Sequence, residues 1–128
     1  MPQSVAEQLG IKQVLIVDDD EDIRHLLQLV FKRHQIASLS AEDGDAALAC
    51  LEAEGDSIGI VLLDLTIPFS GTSTPLEAIQ AAHPGLPVVI MSGYSEDQAT
   101  PTSGLGVAFI RKPFRHPQLF EEISRLLS

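Results

Sequence analysis

Five short apolar runs punctuate the chain, at residues 14–17, 36–39, 58–63, 87–91 and 107–110. Each is continuous and mostly aliphatic, the pattern of strands buried on both faces in a parallel sheet. Between the first two, Ile23, Leu26, Leu27, Val30 and Phe31 recur at i, i+3, i+4, i+7 and i+8. That is one apolar stripe of an amphipathic helix. Asp20 suits its N-cap, and Glu21 and Asp22 suit a first turn facing the positive end of the helix dipole. A second helix fits 45–54, with Ala46, Leu48, Ala49 and Leu51 in it. A third starts at Pro75, a good first-turn residue, and stops near His83, because Pro84 follows. A last one runs from about Pro117, with Leu119, Phe120, Ile123, Leu126 and Leu127 on one face. The slot before it reads YSEDQATPTSGLG over 94–106, which supports only a short or irregular fourth helix. Alternating strand and helix predicts an α/β fold with a mostly parallel sheet.

Composition narrows the class. With 128 residues and 45% hydrophobic content, the chain is long and apolar enough for one domain with a real core. A disordered acidic tail is excluded. The formal net charge is −10, and it is unevenly spread: 13 acidic and 4 basic residues over 1–64, five and four over 65–128. So acidic a chain predicts no direct binding to nucleic acid or to an anionic membrane, both of which attract basic surfaces. The single cysteine, Cys50, can form no internal disulfide and reads as a small buried hydrophobe on its helix. Residues 1–10 read as an arm or linker without the pattern of a signal peptide, leaving 11–128 as the folded domain and a cytoplasmic location as the expectation. The four histidines are scattered without ligand spacing and read as surface residues.

In a parallel α/β sheet, ligands bind beyond the carboxyl ends of the strands. Four of the five predicted strands end in candidate chemistry: Asp18 and Asp19, Asp64, Ser92, and Lys112. Three carboxylates at one edge repel each other unless a cation compensates them. An oxygen-only donor set suits a hard ion such as Mg2+. Lys112 offers a compact positive charge for a phosphoryl oxygen, Ser92 a neutral hydroxyl, and an aspartate beside Mg2+ can accept a phosphoryl group. The bland alternative for residues 18–22 is a solvated acidic run, and Asp20 to Asp22 fit that role as helix caps.

The segments VLIVDDDEDIR, LLDLTIP, IMSGY and FIRKPF, in this order and spacing, closely resemble the receiver domains of two-component response regulators, the CheY-like superfamily. The phrasing of the last two is similar to receivers of hybrid histidine kinases. The resemblance spans about residues 12–127. It implies a doubly wound five-stranded parallel sheet of order 2-1-3-4-5 with helices on both faces, and a regulatory phosphoacceptor rather than an enzyme. It implies Asp64 as phosphoacceptor, Asp19 as direct Mg2+ ligand, Asp18 as a ligand acting largely through water, and the Thr66 carbonyl completing the set. Mn2+ is the implied substitute. Ser92 and Phe109 match the hydroxyl and aromatic switch positions. Lys112 matches the phosphate-pairing lysine, followed by Pro113 at a typically cis peptide bond. Thr66 and Tyr94 sit where the family tunes dephosphorylation. The implied partner is a histidine kinase or phosphotransfer protein, and the implied state a monomer or weak dimer.

Two alternatives stay open on the residues alone. One is a Mg2+-dependent aspartyl-nucleophile phosphatase, although that class usually needs a second aspartate where Thr66 stands. The other is a non-reactive, receiver-like interaction module.

Overall fold

The computed structural model describes residues 12–92 and 106–127. Its strands are β1 (Gln13–Val17), β2 (Ala37–Ala41), β3 (Ile58–Asp64), β4 (Val88–Ser92) and β5 (Val107–Arg111). Its helices are α1 (Glu21–Arg33), α2 (Gly44–Glu54), α3 (Pro75–Ala82) and α4 (His116–Leu127), with one 3-10 turn at Gly55–Ser57. All strand pairs are parallel, in the order β2-β1-β3-β4-β5. The fourth helical slot foreseen at 94–106 lies outside the described residues, apart from Gly106.

Alternation along the strands builds two cores. Val14 and Ile16 of β1, Ile60 and Leu62 of β3, and Val89 and Met91 of β4 face Leu27 and Phe31 of α1 and Leu119 and Ile123 of α4. Their neighbours Leu15, Val17, Val61, Leu63, Val88 and Ile90 face Ala47 and Leu51 of α2 and Leu76 and Ile79 of α3. Helices on both faces make the sheet doubly wound. Each fully buried Leu or Ile contributes about 1.5–3 kcal/mol of transfer free energy. The central strand β3 is buried from Ile60 to its last residue, so the packing that stabilises the fold also carries Asp64 into a largely dry edge.

Two sequence expectations need correction. Strand β2 is not buried on both faces: only Ala41 is buried, because β2 is an edge strand paired with β1 alone. Leu26 is not in the core stripe of α1. It is 51% exposed, as is Leu29 at 60%, because the helix turns Leu27, Val30 and Phe31 to the sheet and leaves Leu26 at the margin. Among smaller points, Cys50 is half-buried rather than buried, and His34 is half-buried with its ring 4.4 Å from that of Phe120.

Helix ends follow local chemistry. Asp20, Asp43 and Thr74 cap α1, α2 and α3 by accepting backbone N–H bonds, and Pro75 opens α3 as expected. After α1 the Ile36 N–H returns to the Phe31 carbonyl at 2.9 Å and the Gln35 N–H to Lys32 at 3.0 Å. This Schellman closure puts Gln35 at φ 63°, a left-handed conformation usually given to glycine.

Candidate functional site

The chain leaves β1 for β2 on one side and returns to β3 on the other, so the carboxyl ends of β1 and β3 flank the switch point of the sheet. Asp18 follows β1 and is fully buried; Asp64 ends β3 and is 5% exposed. Asp19 beside them is exposed. One carboxylate oxygen from each of the three lies within 4.8 Å of the others. Lys112, the first residue after β5, reaches between the two buried acids. Its Nζ stands 2.7 Å from Asp18 Oδ2 and 2.9 Å from Asp64 Oδ2.

The remaining oxygens are also held. Asp18 Oδ1 accepts the Asp20 N–H at 2.9 Å. Asp64 Oδ1 accepts two bonds from Thr66, the N–H at 2.9 Å and the hydroxyl at 2.8 Å. Burial pushes the Asp18 carboxyl above its usual value, and its bonds to Lys112 and Asp20 offset this only in part. Burial acts on Asp64 in the same sense, but the two Thr66 donors and Lys112 outweigh it and hold that carboxyl below its usual value. The same two acids raise the Lys112 ammonium despite its burial. Asp64 is therefore held in its ionised form beside a fixed cation, a condition a carboxylate nucleophile needs.

Three carboxylates and one ammonium leave a formal charge of −2 on oxygen donors only. That donor set fits a hard divalent cation such as Mg2+.

Most of the residues singled out in the sequence meet here. Asp18, Asp19, Asp64, Thr66 and Lys112 converge, and the Lys112–Pro113 bond is cis. Ser92 ends β4 in register with Arg111, at the same edge of the sheet. Phe109 is half-buried on β5, opposite Ile90. Tyr94 lies outside the described residues. Sequence reasoning missed Arg24, whose Nη1 donates to the Asp18 carbonyl at 2.6 Å and ties α1 to the site. One arginine on a helix carrying other charges offers no signal of that contact. The grip of the Thr66 hydroxyl on Asp64 was equally hidden, since spacing marks the position but not the bond.

Among the described residues, no helix is long and apolar enough to cross a membrane.

Residues 14–124 match the family described as the response regulator receiver domain. The chain is 27% identical over 120 residues to the sensor kinase CckA of Brucella abortus strain 2308, covering 92% of this chain and 13% of that protein. It is 28% identical over 118 residues to the transcriptional regulatory protein CpxR of Escherichia coli K12, covering 91% and 50%. The chain thus spans half or less of these curated relatives. Among solved structures it is similar to one from a CheX–CheY–BeF3–Mg2+ complex of Borrelia burgdorferi, with a TM-score of 0.82, 25% identity, and coverage of 95% of this chain and 94% of that one. Receiver domains are regulatory phosphoacceptors of two-component signalling that bind Mg2+ at an acidic pocket and interact with histidine kinases or phosphotransfer proteins. With the sheet order, the acidic edge and the family match in agreement, this chain belongs to the response regulator receiver domains.

Proposed function

We propose that this domain is a signalling switch that takes a phosphoryl group from a partner's phosphohistidine onto Asp64. The observation that carries this reading is the Lys112 ammonium shared between two buried carboxylates, with the Asp64 carboxyl held below its usual value by Thr66 and Lys112. An Asp64 carboxylate oxygen attacks phosphorus, the phosphorus–nitrogen bond breaks, and its electron pair returns to the imidazole. Water later hydrolyses the acyl phosphate and restores the carboxylate. While the acyl phosphate stands, Lys112 pairs with one of its phosphoryl oxygens.

Asp18, Asp19, Asp64 and the Thr66 carbonyl would hold Mg2+, or Mn2+ in its place, which supplies charge neutralisation for the transfer. Asp19 is the exposed member of the cluster and Asp18 the fully buried one, which favours Asp19 as direct ligand and Asp18 as a ligand through water. Ser92 and Phe109 form the switch: the hydroxyl moves to the phosphoryl group, Phe109 follows, and phosphorylation shifts the population between two arrangements. Thr66 and Tyr94 control the access of water to the phosphoryl group. The exposed Leu26 on α1 gives the partner an apolar foothold, since it lines a largely apolar groove with Pro113 and Phe114 beside Lys112.

Incubation with acetyl phosphate, with and without Mg2+, tests the reading by intact mass. Wild type should gain one phosphoryl group only with Mg2+, and Asp64→Asn none. No Mg2+-dependent modification at Asp64 would leave a non-reactive interaction module. Steady turnover of free phosphate esters would point to a phosphatase instead.

A further inference from the structure

Between Asp64 and α3 the chain runs ten residues, 65–74, without helix or strand. Ordering such a loop costs entropy that contacts elsewhere must offset. Here the first turn of α2 supplies them. Ile67 is buried in the core beneath the loop. The Pro68 carbonyl accepts the Gly44 N–H at 2.8 Å. The Phe69 ring then seats against Gly44 and Gly71. A β-carbon at Gly44 would stand 2.6 Å from ring Cδ1, and one at Gly71 2.4 Å from Cε2. Positive φ is confined to Gly85 and Gly106 among the described glycines, so at Gly44 the ring, not the backbone torsion, excludes a larger residue. Next, the Ser70 hydroxyl donates to Asp45 Oδ1 at 2.6 Å and its N–H to Oδ2 at 3.2 Å.

Four consecutive residues are thus pinned immediately after Thr66, the residue that grips Asp64 twice. The bracket itself is anchored to the other side of the site. Strand β2, which leads into α2, is tied to the end of β1 through the Asp18 N–H and the Ala41 carbonyl at 3.0 Å. We propose that the seat of Phe69 on Gly44 and of Ser70 on Asp45 is a positioning device that holds Thr66, and through it the Asp64 carboxylate, in the geometry for metal and phosphoryl binding. This deepens the phosphoacceptor reading and rests on it. Ser70 and Phe69 touch no reacting atom; they act through Thr66.

Ser70→Ala carries the test, because Ser70 is exposed and its loss leaves the core intact. The readouts are amide exchange at Thr66 in the metal-free domain, Mg2+ affinity by NMR titration, and the lifetime of phospho-Asp64. Ser70→Ala should speed Thr66 exchange, weaken Mg2+ binding and shorten the lifetime, each by about threefold to tenfold, the range of one lost hydrogen bond. Ser70→Thr, which keeps hydroxyl and N–H, should restore all three. Gly44→Ala, which lifts the ring, should act in the same direction and further, with a thermal melt run beside it to separate local loosening from unfolding. Wild-type exchange and wild-type Mg2+ affinity in Ser70→Ala would overturn the proposal, as would failure of Ser70→Thr to rescue. If Ser70→Ala speeds Thr66 exchange but wild type takes no phosphoryl group, the phosphoacceptor reading fails while the bracket on Thr66 stands.

Discussion

The ends of β1 and β3 lie side by side, each carries a buried aspartate, and one lysine serves both. Yet the two carboxyls are displaced in opposite directions, Asp18 upward and Asp64 downward. Burial cannot explain the difference, because it raises both. The number of donors does. Asp18 receives one backbone N–H besides Lys112, whereas Asp64 receives an N–H and a hydroxyl, both from Thr66. Two residues of chain after β3 therefore set apart two otherwise similar buried carboxyls.

Removing the shared cation should break the comparison most severely. Lys112→Met leaves two buried carboxylates facing each other, and in metal-free buffer at pH 7 it should lose about 3 kcal/mol in urea unfolding. Added Mg2+ should recover part of that loss. A smaller effect of opposite sign is expected at the end of β1. Because the folded Asp18 carboxyl is raised, its ionised form lowers stability above its raised value, and this cost disappears below the unfolded value of 3.8. Asp18→Asn should therefore melt higher than wild type at pH 7 without metal, and the gap should close as pH falls through this range.

At the end of β3 the linkage runs the other way. The stability contributed by a depressed Asp64 is full above 3.8 and is lost as pH falls through its lowered value. Thr66→Val removes the hydroxyl and should cost about 1 kcal/mol at pH 7. NMR titration of the carboxyl should find Asp64 moved up towards Asp18. An unchanged separation would mean that the hydroxyl does not set the difference. The smallest effect is a control far from both ends. Gln35→Gly relieves a left-handed residue and should stabilise the domain by about 0.5–1 kcal/mol, leaving both carboxyl titrations as they are.

Much of this was legible in the sequence. The strand runs, the cap at Asp20, the helix start at Pro75, and the carboxylates and lysine at the strand ends follow from local pattern, because burial and capping select residue types at fixed spacing. Leu26 and the edge strand β2 were misjudged for one reason. A periodic pattern marks an apolar stripe, but how much of it is covered depends on neighbours distant in the chain.

The sequence by itself determined the α/β alternation and the residue types delivered to the sheet edge. Tertiary structure decided which oxygen each donor takes. Lys112 lies 94 positions from Asp18 and 48 from Asp64, and Asp45 lies 25 from Ser70. Contacts at such separations depend on how β1, β3, β5 and α2 are placed in the sheet and its layers. The polarity of Asp64 against Asp18 is decided by that placement and by the hydrogen bonds it leaves within reach of Thr66.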